Sequence, residues 1–492
     1  MTDVIVVGAG PAGVVAALRA AELGARTRLI ARSEFGGMAA NDGPVPVRVL
    51  AQAARLMREA RQLGSYGVSV GTPTLDYSRL LERVREVVAD VRSHSYLRPQ
   101  IDRLGATVHE QAGAARFIDP HTIETESGLR LEADKIILCT GGVNRCLPIP
   151  GFELTGTHSK AWRLTSVPPS MLVIGAGNTG VQVASIFQAF GTRVQLFEAG
   201  PRILATEEPD IAAEAAASFR ESGMLVRENF GKIESFEKTP TGVRMNFSKG
   251  GARDSAEAAL AIVAVGWIAD TGCLNLASAG VELNERKYVK ADRFLRTTAP
   301  HIFAAGDITG RLMLVPEAIR DGFTAATNAV QGPSLPLEDR VSPVGSFTDP
   351  EYAQVGLSEA KARETHEVVT TIVRFDTTTR TIIDGRKAGF CKLITDRNSC
   401  VILGCHVIGE RAVDVVEVAA LAIASKMRVD ELARVALAYP TYAGILLNAA
   451  VDAAKEMGLK LAWLAHGGGA PGIDPGVRRE AAAIGTREAV TS

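Results

Sequence analysis

Two glycine-rich turns have the spacing of loops that bind the pyrophosphate of a dinucleotide. The first is GAGPAG at residues 8–13, and the second is GAGNTG at residues 175–180. A backbone without side chains can approach a pyrophosphate closely, and the N-terminus of a following helix stabilises its negative charge. The sequence therefore predicts two dinucleotide sites on one chain.

Each turn stands between the elements that such a loop requires. An apolar strand precedes it, a helix pattern follows it, and a second strand comes next, at residues 27–31 in the first half and 193–198 in the second. This order is typical of the βαβ unit that binds dinucleotides. Each half also closes with a strand that ends in glycine, at 141–142 and at 266. We therefore interpret the chain as a repeat of two halves.

The residue at the end of the second strand differs between the halves. In the second half it is Glu198, whose carboxylate suits a ribose 2′-hydroxyl and repels a 2′-phosphate. This favours NADH over NADPH. In the first half the same position is Ala31, which cannot accept this hydrogen bond. The nucleotide there either bonds to Ser33 or Glu34 instead or lacks this hydrogen bond.

Composition and charge exclude several other classes of function. The 54 basic and 55 acidic residues among 492 leave a net charge of −1, which gives no basis for binding nucleic acid. Six cysteines without a CxxC pair indicate neither a disulfide scaffold nor a metal site. No leader sequence or integral membrane segment is evident, so we expect a cytoplasmic protein.

With these motifs the sequence resembles the flavoprotein pyridine nucleotide–disulfide oxidoreductases, such as dihydrolipoamide dehydrogenase and mercuric reductase. The resemblance extends over roughly residues 1–457 and also includes CTGG at 139–142, AAGD at 304–307 and FTDPE at 347–351. It implies FAD in the first site, a nicotinamide nucleotide in the second, and a homodimer formed through a C-terminal domain. Asp307 would accept hydrogen bonds from the ribityl hydroxyls of the flavin.

The resemblance assigns cofactor-binding residues at the matching positions. Those for FAD are Gly8, Gly10, Pro11, Ala12, Gly13, Gly37, Thr140, Gly141, Gly142, Gly306 and Asp307. Those for NAD are Gly175, Gly177, Asn178, Thr179, Gly180, Glu198 and Gly266.

The predicted fold class is α/β, with two Rossmann-like dinucleotide-binding domains and a C-terminal α+β dimerisation domain. The predicted division is an FAD domain at 1–150, an NAD(P) domain at 151–266, a second part of the FAD domain at 267–335 and a dimerisation domain at 341–464. Residues 465–492, rich in glycine and small residues, are predicted to be a disordered tail.

The family's paired redox cysteines have no counterpart at the matching positions. The motif GGxCxxxxCxPxK reads here with Gly36, Gly37 and Pro46 in place, but with Ala39 and Pro44 where the cysteines should be. Neither residue can form a thiolate or a disulfide. We therefore expect that no dithiol relay lies beside the flavin.

The C-terminal acid–base pair of the family is also replaced. Its signature HPTxxE begins here with Tyr439 and ends with Gly444. A tyrosine with a pKa near 10 does not shuttle protons at neutral pH without strong tuning, and glycine supplies no carboxylate. The lysine–glutamate pair near the flavin N5 is represented by Arg48 and Gln182. Arg48, Gln182 and Tyr439 are candidate pocket residues, and the catalytic residues are unknown.

The leading hypothesis is an FAD-dependent NAD(P)H oxidoreductase without a redox-active disulfide. Reduced flavin would pass electrons directly to a small acceptor such as a quinone, because a flavin can perform this chemistry without a covalent partner. Two alternatives stay open at this point: an enzyme that resembles a pyridine nucleotide transhydrogenase, and a non-catalytic flavin-binding regulatory protein.

Overall fold

The computed structural model describes residues 2–94, 97–338 and 341–461, and these residues divide into two compact units. The first unit consists of the residues up to Gly200 and those from Met224 to the break at 339. The second consists of Pro201–Gly223 and the residues after 340. The predicted disordered tail at 465–492 lies outside the described residues, and the predicted domain boundaries stay a prediction.

Strands make up the sheets of both units. In chain order they are β1 (Asp3–Val7), β2 (Arg26–Ile30), β3 (Thr107–His109), β4 (Ala115–Asp119), β5 (Thr122–Thr125), β6 (Arg130–Glu132), β7 (Lys135–Leu138), β8 (Gly142–Asn144), β9 (Ser170–Ile174), β10 (Arg193–Glu198), β11 (Leu225–Glu228), β12 (Lys232–Thr239), β13 (Gly242–Lys249), β14 (Ala252–Ala258), β15 (Leu260–Val263), β16 (Trp267–Ala269), β17 (Ile302–Ala304), β18 (Val344–Ser346), β19 (Tyr352–Gly356), β20 (Val368–Arg374), β21 (Gly389–Asp396) and β22 (Ile402–Gly409).

The helices connect and cover these strands. They are α1 (Pro11–Glu22), α2 (Gly37–Asn41), α3 (Pro44–Gln62), α4 (Tyr77–His94), α5 (Leu97–Arg103), α6 (His158–Trp162), α7 (Asn178–Ala189), α8 (Pro209–Glu221), α9 (Val315–Gln331), α10 (Glu359–Arg363), α11 (Thr379–Ile383), α12 (Ala412–Ala424), α13 (Val429–Leu432) and α14 (Gly444–Glu456). Short 3₁₀ turns lie at Leu63–Tyr66, Phe152–Leu154, Leu276–Ala279, Gly306–Thr309 and Phe375–Thr377.

A parallel sheet in the order β17-β7-β1-β2-β3 forms the centre of the first unit. The apolar run in β1 is buried on both sides, because Val4 and Val6 belong to one core and Ile5 and Val7 to another. Such continuous apolar strands are typical of parallel sheets that are covered on both faces. The carboxyl ends of β1, β2 and β3 consequently meet at one edge, where nucleotides bind in this class of fold.

A second parallel sheet, in the order β11-β10-β9-β15, repeats this arrangement in the same unit. Helix α7 connects β9 to β10 as α1 connects β1 to β2. Antiparallel sheets β12-β13-β14, β4-β5-β6 and β8-β16 complete the unit. The predicted α/β class and the predicted repeat of strand, turn, helix and strand are therefore confirmed.

The second unit contains an antiparallel sheet in the order β18-β19-β22-β21-β20. One face of β21 and β22 joins the core formed with α12 and α14, whereas Lys392 on β21 faces the other side. Its side chain is 6% exposed, and its Nζ lies 2.7 Å from Glu208, 3.0 Å from Asp210 and 2.9 Å from Glu359. These carboxylates raise the pKa of Lys392. A buried ammonium compensated in this way fixes α8 against the sheet.

Candidate functional site

The first glycine-rich turn is closed towards the protein and open on its outer side. Gly8 has φ +108°, and a Cβ built there would lie 2.2 Å from the carbonyl oxygen of Cys139. A Cβ on Gly13 would lie 1.7 Å from the carbonyl oxygen of Gly8. A Cβ on Gly10, by contrast, would meet no described atom within 4 Å. The turn therefore offers bare backbone only where a ligand can approach.

Helix α1 begins directly at this open side. Pro11 is its first residue, and no side chain caps its N-terminus. The first hydrogen bond within the helix runs from the N–H of Val14 to the carbonyl of Gly10, at 2.9 Å. The N–H groups of Ala12 and Gly13 precede that bond, so they and the helix dipole favour an anion at this position.

The second turn reproduces this geometry. Gly175 has φ +93° with a built Cβ 2.4 Å from the carbonyl oxygen of Ala264, and a Cβ on Gly180 would lie 1.8 Å from the carbonyl oxygen of Gly175. Around Gly177 the described residues again leave the space open for 4 Å. Helix α7 starts at Asn178 without a side-chain cap. Both turns thus fit a pyrophosphate.

Glu198 lies beside the second turn and is held there by backbone groups. Its Oε2 accepts a hydrogen bond from the N–H of Ala176 at 2.8 Å, and its Oε1 accepts one from the N–H of Gly200 at 2.7 Å. A carboxylate oxygen has two lone pairs, so each oxygen retains an acceptor position. The equivalent Ala31 is 2% exposed and offers no acceptor from its side chain.

Asp307 lies in the 3₁₀ turn after β17, next to Gly142. A Cβ on Gly142 would be 3.7 Å from the Cβ of Asp307. The Asp307 carboxylate receives no hydrogen bond from the part of the chain that the structure describes, and burial raises its pKa. A half-buried acceptor of this kind fits a ligand that supplies hydroxyl donors.

Thr140 and Gly141 are hydrogen-bonded to Asp270, the residue directly after β16. The hydroxyl of Thr140 donates to the carbonyl of Asp270 at 2.7 Å, and the N–H of Asp270 donates to the carbonyl of Gly141 at 3.0 Å. These bonds fix the closing turn of the first half beside Asp307. The corresponding Gly266 is open, because a Cβ there would meet no described atom within 4 Å.

Sequence reasoning missed Asp321, a buried carboxylate behind the Asp307 turn. It lies on α9 and is 2% exposed, and its Oδ2 accepts a hydrogen bond from the N–H of Gly306 at 3.2 Å. Its Oδ1 has no partner among the described residues, and burial raises its pKa to about 6. The one signal in the sequence is an aspartate on the apolar side of an otherwise alanine-rich helix pattern.

The short helix α2, which contains Ala39, is packed onto the first turn through Gly37. A Cβ on Gly37 would lie 2.7 Å from the Cα of Gly10, so only glycine allows the two backbones to come this close. Ala39 lies in α2, and Pro44 begins α3. The positions that match the family's cysteines follow this contact by two and by seven residues.

Arg48 and Gln182 are in contact. Nη1 of Arg48 on α3 donates to Oε1 of Gln182 on α7 at 2.9 Å, and Nε2 of Gln182 donates to the carbonyl of Asn178 at 2.9 Å. The amide is thus oriented from both ends. The pair therefore links α3 to the first turns of α7, the helix that follows the second glycine-rich turn.

Tyr439 belongs to the second unit and is 62% exposed. Its hydroxyl forms a hydrogen bond with the hydroxyl of Thr379 at 2.9 Å, and Gly444 is the first residue of α14. Whether Tyr439 lines a pocket stays a prediction.

The cysteines are free thiols in other parts of the chain. Four are buried, namely Cys139, Cys391, Cys400 and Cys405, and two are exposed, namely Cys146 and Cys273. Burial raises the pKa of Cys139 in the first unit. The described residues contain no group of three or more metal-ligating side chains. No helix within the described ranges is long and apolar enough to cross a membrane.

Comparison with known proteins places these features in context. Residues 2–322 match the pyridine nucleotide-disulphide oxidoreductase family, and residues 342–450 match the dimerisation domain of that family. A dihydrolipoyl dehydrogenase from Chlorobaculum tepidum is 31% identical over 466 residues, covering 93% of this chain and 98% of the relative. A mercuric reductase from Lysinibacillus sphaericus is 28% identical over 458 residues, covering 92% and 83%.

Solved structures agree with these sequence matches. The crystal structure of LpdA from Mycobacterium tuberculosis has a TM-score of 0.82 to this chain at 26% identity, covering 92% of this chain and 99% of LpdA. The similarity therefore extends over nearly all of the described residues of both units.

Proposed function

Because the chain belongs to the pyridine nucleotide-disulphide oxidoreductase family, we propose that it is an NAD(P)H oxidoreductase that works without a redox-active disulfide. The family consists of FAD-dependent enzymes that use pyridine nucleotides. One observation supports the proposal: the segment that contacts the first turn through Gly37 continues with Ala39 in α2 and Pro44 at the start of α3, and neither residue can form a thiolate.

The first site would hold FAD. The N-terminus of α1 and the open backbone at Gly10 would hold the pyrophosphate, and Asp307 would accept hydrogen bonds from the ribityl hydroxyls. Thr140, Gly141 and Gly142 would contact the nucleotide through their backbone. The absence of a described donor on the Asp307 carboxylate supports this assignment, because a hydroxyl would satisfy it.

The second site would hold NADH in preference to NADPH. The N-terminus of α7 and the open backbone at Gly177 would hold the pyrophosphate. The Glu198 carboxylate would accept a hydrogen bond from the ribose 2′-hydroxyl and would repel a 2′-phosphate. A homodimer formed through residues matched by the dimerisation domain is part of the proposal.

Two electrons would leave the protein without a thiol intermediate. When bound, FAD supplies the chemistry of accepting a hydride from a reduced nicotinamide and of giving electrons to an acceptor. The protein would orient both cofactors, and the hydrogen-bonded Arg48 and Gln182 would form part of the wall beside the reacting ring. Quinones and similar conjugated electrophiles suit this route, because they need no covalent partner.

Anaerobic titration with NADH tests the proposal. One equivalent of NADH per FAD should bleach the flavin fully, and a quinone should reoxidise it at the same rate before and after alkylation of the exposed Cys146 and Cys273. A dihydrolipoyl dehydrogenase, treated identically, serves as the control with a dithiol. A stable thiolate–flavin charge-transfer band in this protein would contradict the mechanism. A flavin that stays oxidised would support a binding protein instead.

A further inference from the structure

The first site lacks the strand-end carboxylate that the second site has. Ala31 stands at that position and is buried. Of the two substitutes that the sequence suggests, the Glu34 carboxylate is ion-paired with Arg92 on α4 and accepts no hydrogen bond from a backbone N–H of the described residues. Ser33 is exposed, and no described residue anchors its hydroxyl. The structure offers a backbone-anchored candidate directly after the neighbouring strand β3.

Glu110 and Ala31 each directly follow one of two adjacent paired strands. Strands β2 and β3 are parallel with Ile30 opposite His109, and the N–H of Ala31 donates to the carbonyl of His109 at 2.8 Å. Ala31 and Glu110 are the residues that directly follow this last pair on the two strands. Neighbouring strands are about 4.8 Å apart, and register partners point to the same face.

The buried neighbours of Ala31 show which side of the sheet this is. Leu29 and Ala31 belong to the core that packs against α1, and Val108 packs against the same core. Glu110 directly follows β3, and the alternation of side chains along an extended segment places it on the same side as Val108. Glu110 is thus on the side of the sheet that carries α1 and its open N-terminus.

Hydrogen bonds place the Glu110 carboxylate near the first turn. Its Oε2 accepts a hydrogen bond from the N–H of Phe35 at 3.1 Å. The next residue, Gly36, donates a hydrogen bond from its N–H to the carbonyl of Ala9 at 2.9 Å. The other oxygen of Glu110 pairs with Arg98. The side chain is 37% exposed, so a ligand can reach it.

The second half contains a carboxylate held in the same manner. Glu198, at the end of β10, accepts hydrogen bonds from two backbone N–H groups. Its register partner on β11 is Glu228. The second half thus has acidic residues at the ends of both neighbouring strands, whereas the first half has one on the outer strand alone. In the first half, Glu110 has the backbone-anchored carboxylate.

We infer that Glu110 takes the place of the missing carboxylate at Ala31 and accepts hydrogen bonds from the adenosine ribose hydroxyls of FAD. The ligand group is a vicinal diol, which a carboxylate with free lone pairs can bind through two hydrogen bonds. This inference rests on the proposed function, since it requires FAD in the first site.

Affinity for two flavins tests the inference. The full chain, stripped of flavin, is titrated with FAD and with an FAD analogue whose adenosine ribose lacks both hydroxyls, and flavin fluorescence reports binding. The wild type should prefer FAD by about tenfold or more. Glu110→Gln should weaken FAD binding by about tenfold and bind both flavins equally, because it removes the charge that the hydroxyls need.

Two further variants separate binding from structure. Asp102→Asn removes the other carboxylate that pairs with Arg98, at 3.2 Å, and should keep the wild-type preference for FAD. Glu34→Gln should do the same. The inference is overturned if Glu110→Gln still discriminates between the flavins, or if Glu34→Gln alone loses discrimination. A wild type that binds FAD without preferring it overturns only this inference, whereas a wild type that binds no FAD overturns the proposed function as well.

Discussion

The two glycine-rich turns of this chain share one backbone design but stand beside different strand ends. A Cβ atom added at Gly13 or Gly180 would lie 1.7 Å or 1.8 Å from the carbonyl oxygen of Gly8 or Gly175, respectively. The backbone of the glycine-rich turn is therefore nearly identical in both halves. The strand ends differ, since Glu198 has a carboxylate where Ala31 has a methyl group. Under the proposed function, the turn would hold the pyrophosphate in both halves, whereas the residue at the strand end would determine which nucleotide is preferred.

Adding one methyl group to either glycine-rich turn should change stability and cofactor binding more than any other substitution considered below. Gly13→Ala and Gly180→Ala both place a Cβ against a carbonyl oxygen, which no rotamer can relieve, and each should cost about 3 kcal/mol of unfolding free energy. Gly13→Ala should also lose bound flavin. Gly180→Ala should keep its flavin but reduce it far more slowly with NADH. Visible absorbance and stopped-flow kinetics measure the two properties.

Gly64→Ala is the matched control for this pair. A Cβ there would meet no described atom within 4 Å, so stability and flavin content should stay at wild-type values. Loss of flavin in Gly180→Ala with retention in Gly13→Ala would exchange the assignments of the two sites.

An intermediate effect is expected at the strand end of the second half. Glu198→Gln should lower the preference for NADH over NADPH by about tenfold, because the charged acceptor is lost, and Glu198→Arg should invert it. The ratio of the flavin reduction rates with the two nucleotides measures the preference. Glu110→Gln, in the first half, should leave this ratio unchanged. A wild type that prefers NADPH would contradict the role given to Glu198.

The smallest effect concerns the buried carboxylate behind the first closing turn. Burial raises the pKa of Asp321 from 3.8 to about 6, so the folded state holds this proton more tightly than the unfolded chain. The stabilisation is complete below the unfolded pKa and is lost as the pH rises through about 6. Asp321→Asn should therefore raise the unfolding free energy at about pH 7.5, by at most about 3 kcal/mol, and should give no gain near pH 4.

Urea unfolding across this pH range measures the effect of Asp321→Asn. Asp254→Asn is the control with the opposite sign. Asp254 is exposed in the second half, and hydrogen bonds from the N–H of Ser255 and from Arg227 hold its pKa below the usual value. Its removal should not stabilise the protein at neutral pH. A pH-independent gain in Asp321→Asn would indicate packing rather than titration.

Local motifs made much of the fold predictable, whereas partners distant in the sequence did not. The order of strand, turn, helix and strand depends on glycines within six residues, so the βαβ unit of each half was predicted with both of its strands. The contact between Arg48 and Gln182 was suggested by resemblance and is present. Its role beside a flavin stays a prediction.

Asp321 and Glu110 show why the rest was missed. Asp321 is buried because α9 packs against α1, which follows from the contact between Gly322 and the carbonyl of Ala12 rather than from the local sequence. Glu110 becomes a neighbour of Ala31 only through the pairing of β2 with β3, after more than seventy intervening residues. Neither position belongs to a motif, so spacing alone could not identify it.

The buried ammonium of Lys392 has a consequence for how the chain is made. Its partner Glu208 precedes it by 184 residues, and both lie in the second unit. At about 5–20 residues per second, the ribosome needs roughly 10–40 s to synthesise the intervening chain. For that interval α8 exists without the sheet that covers it, so the middle of the nascent chain must wait for its C-terminal partner before the second unit can close.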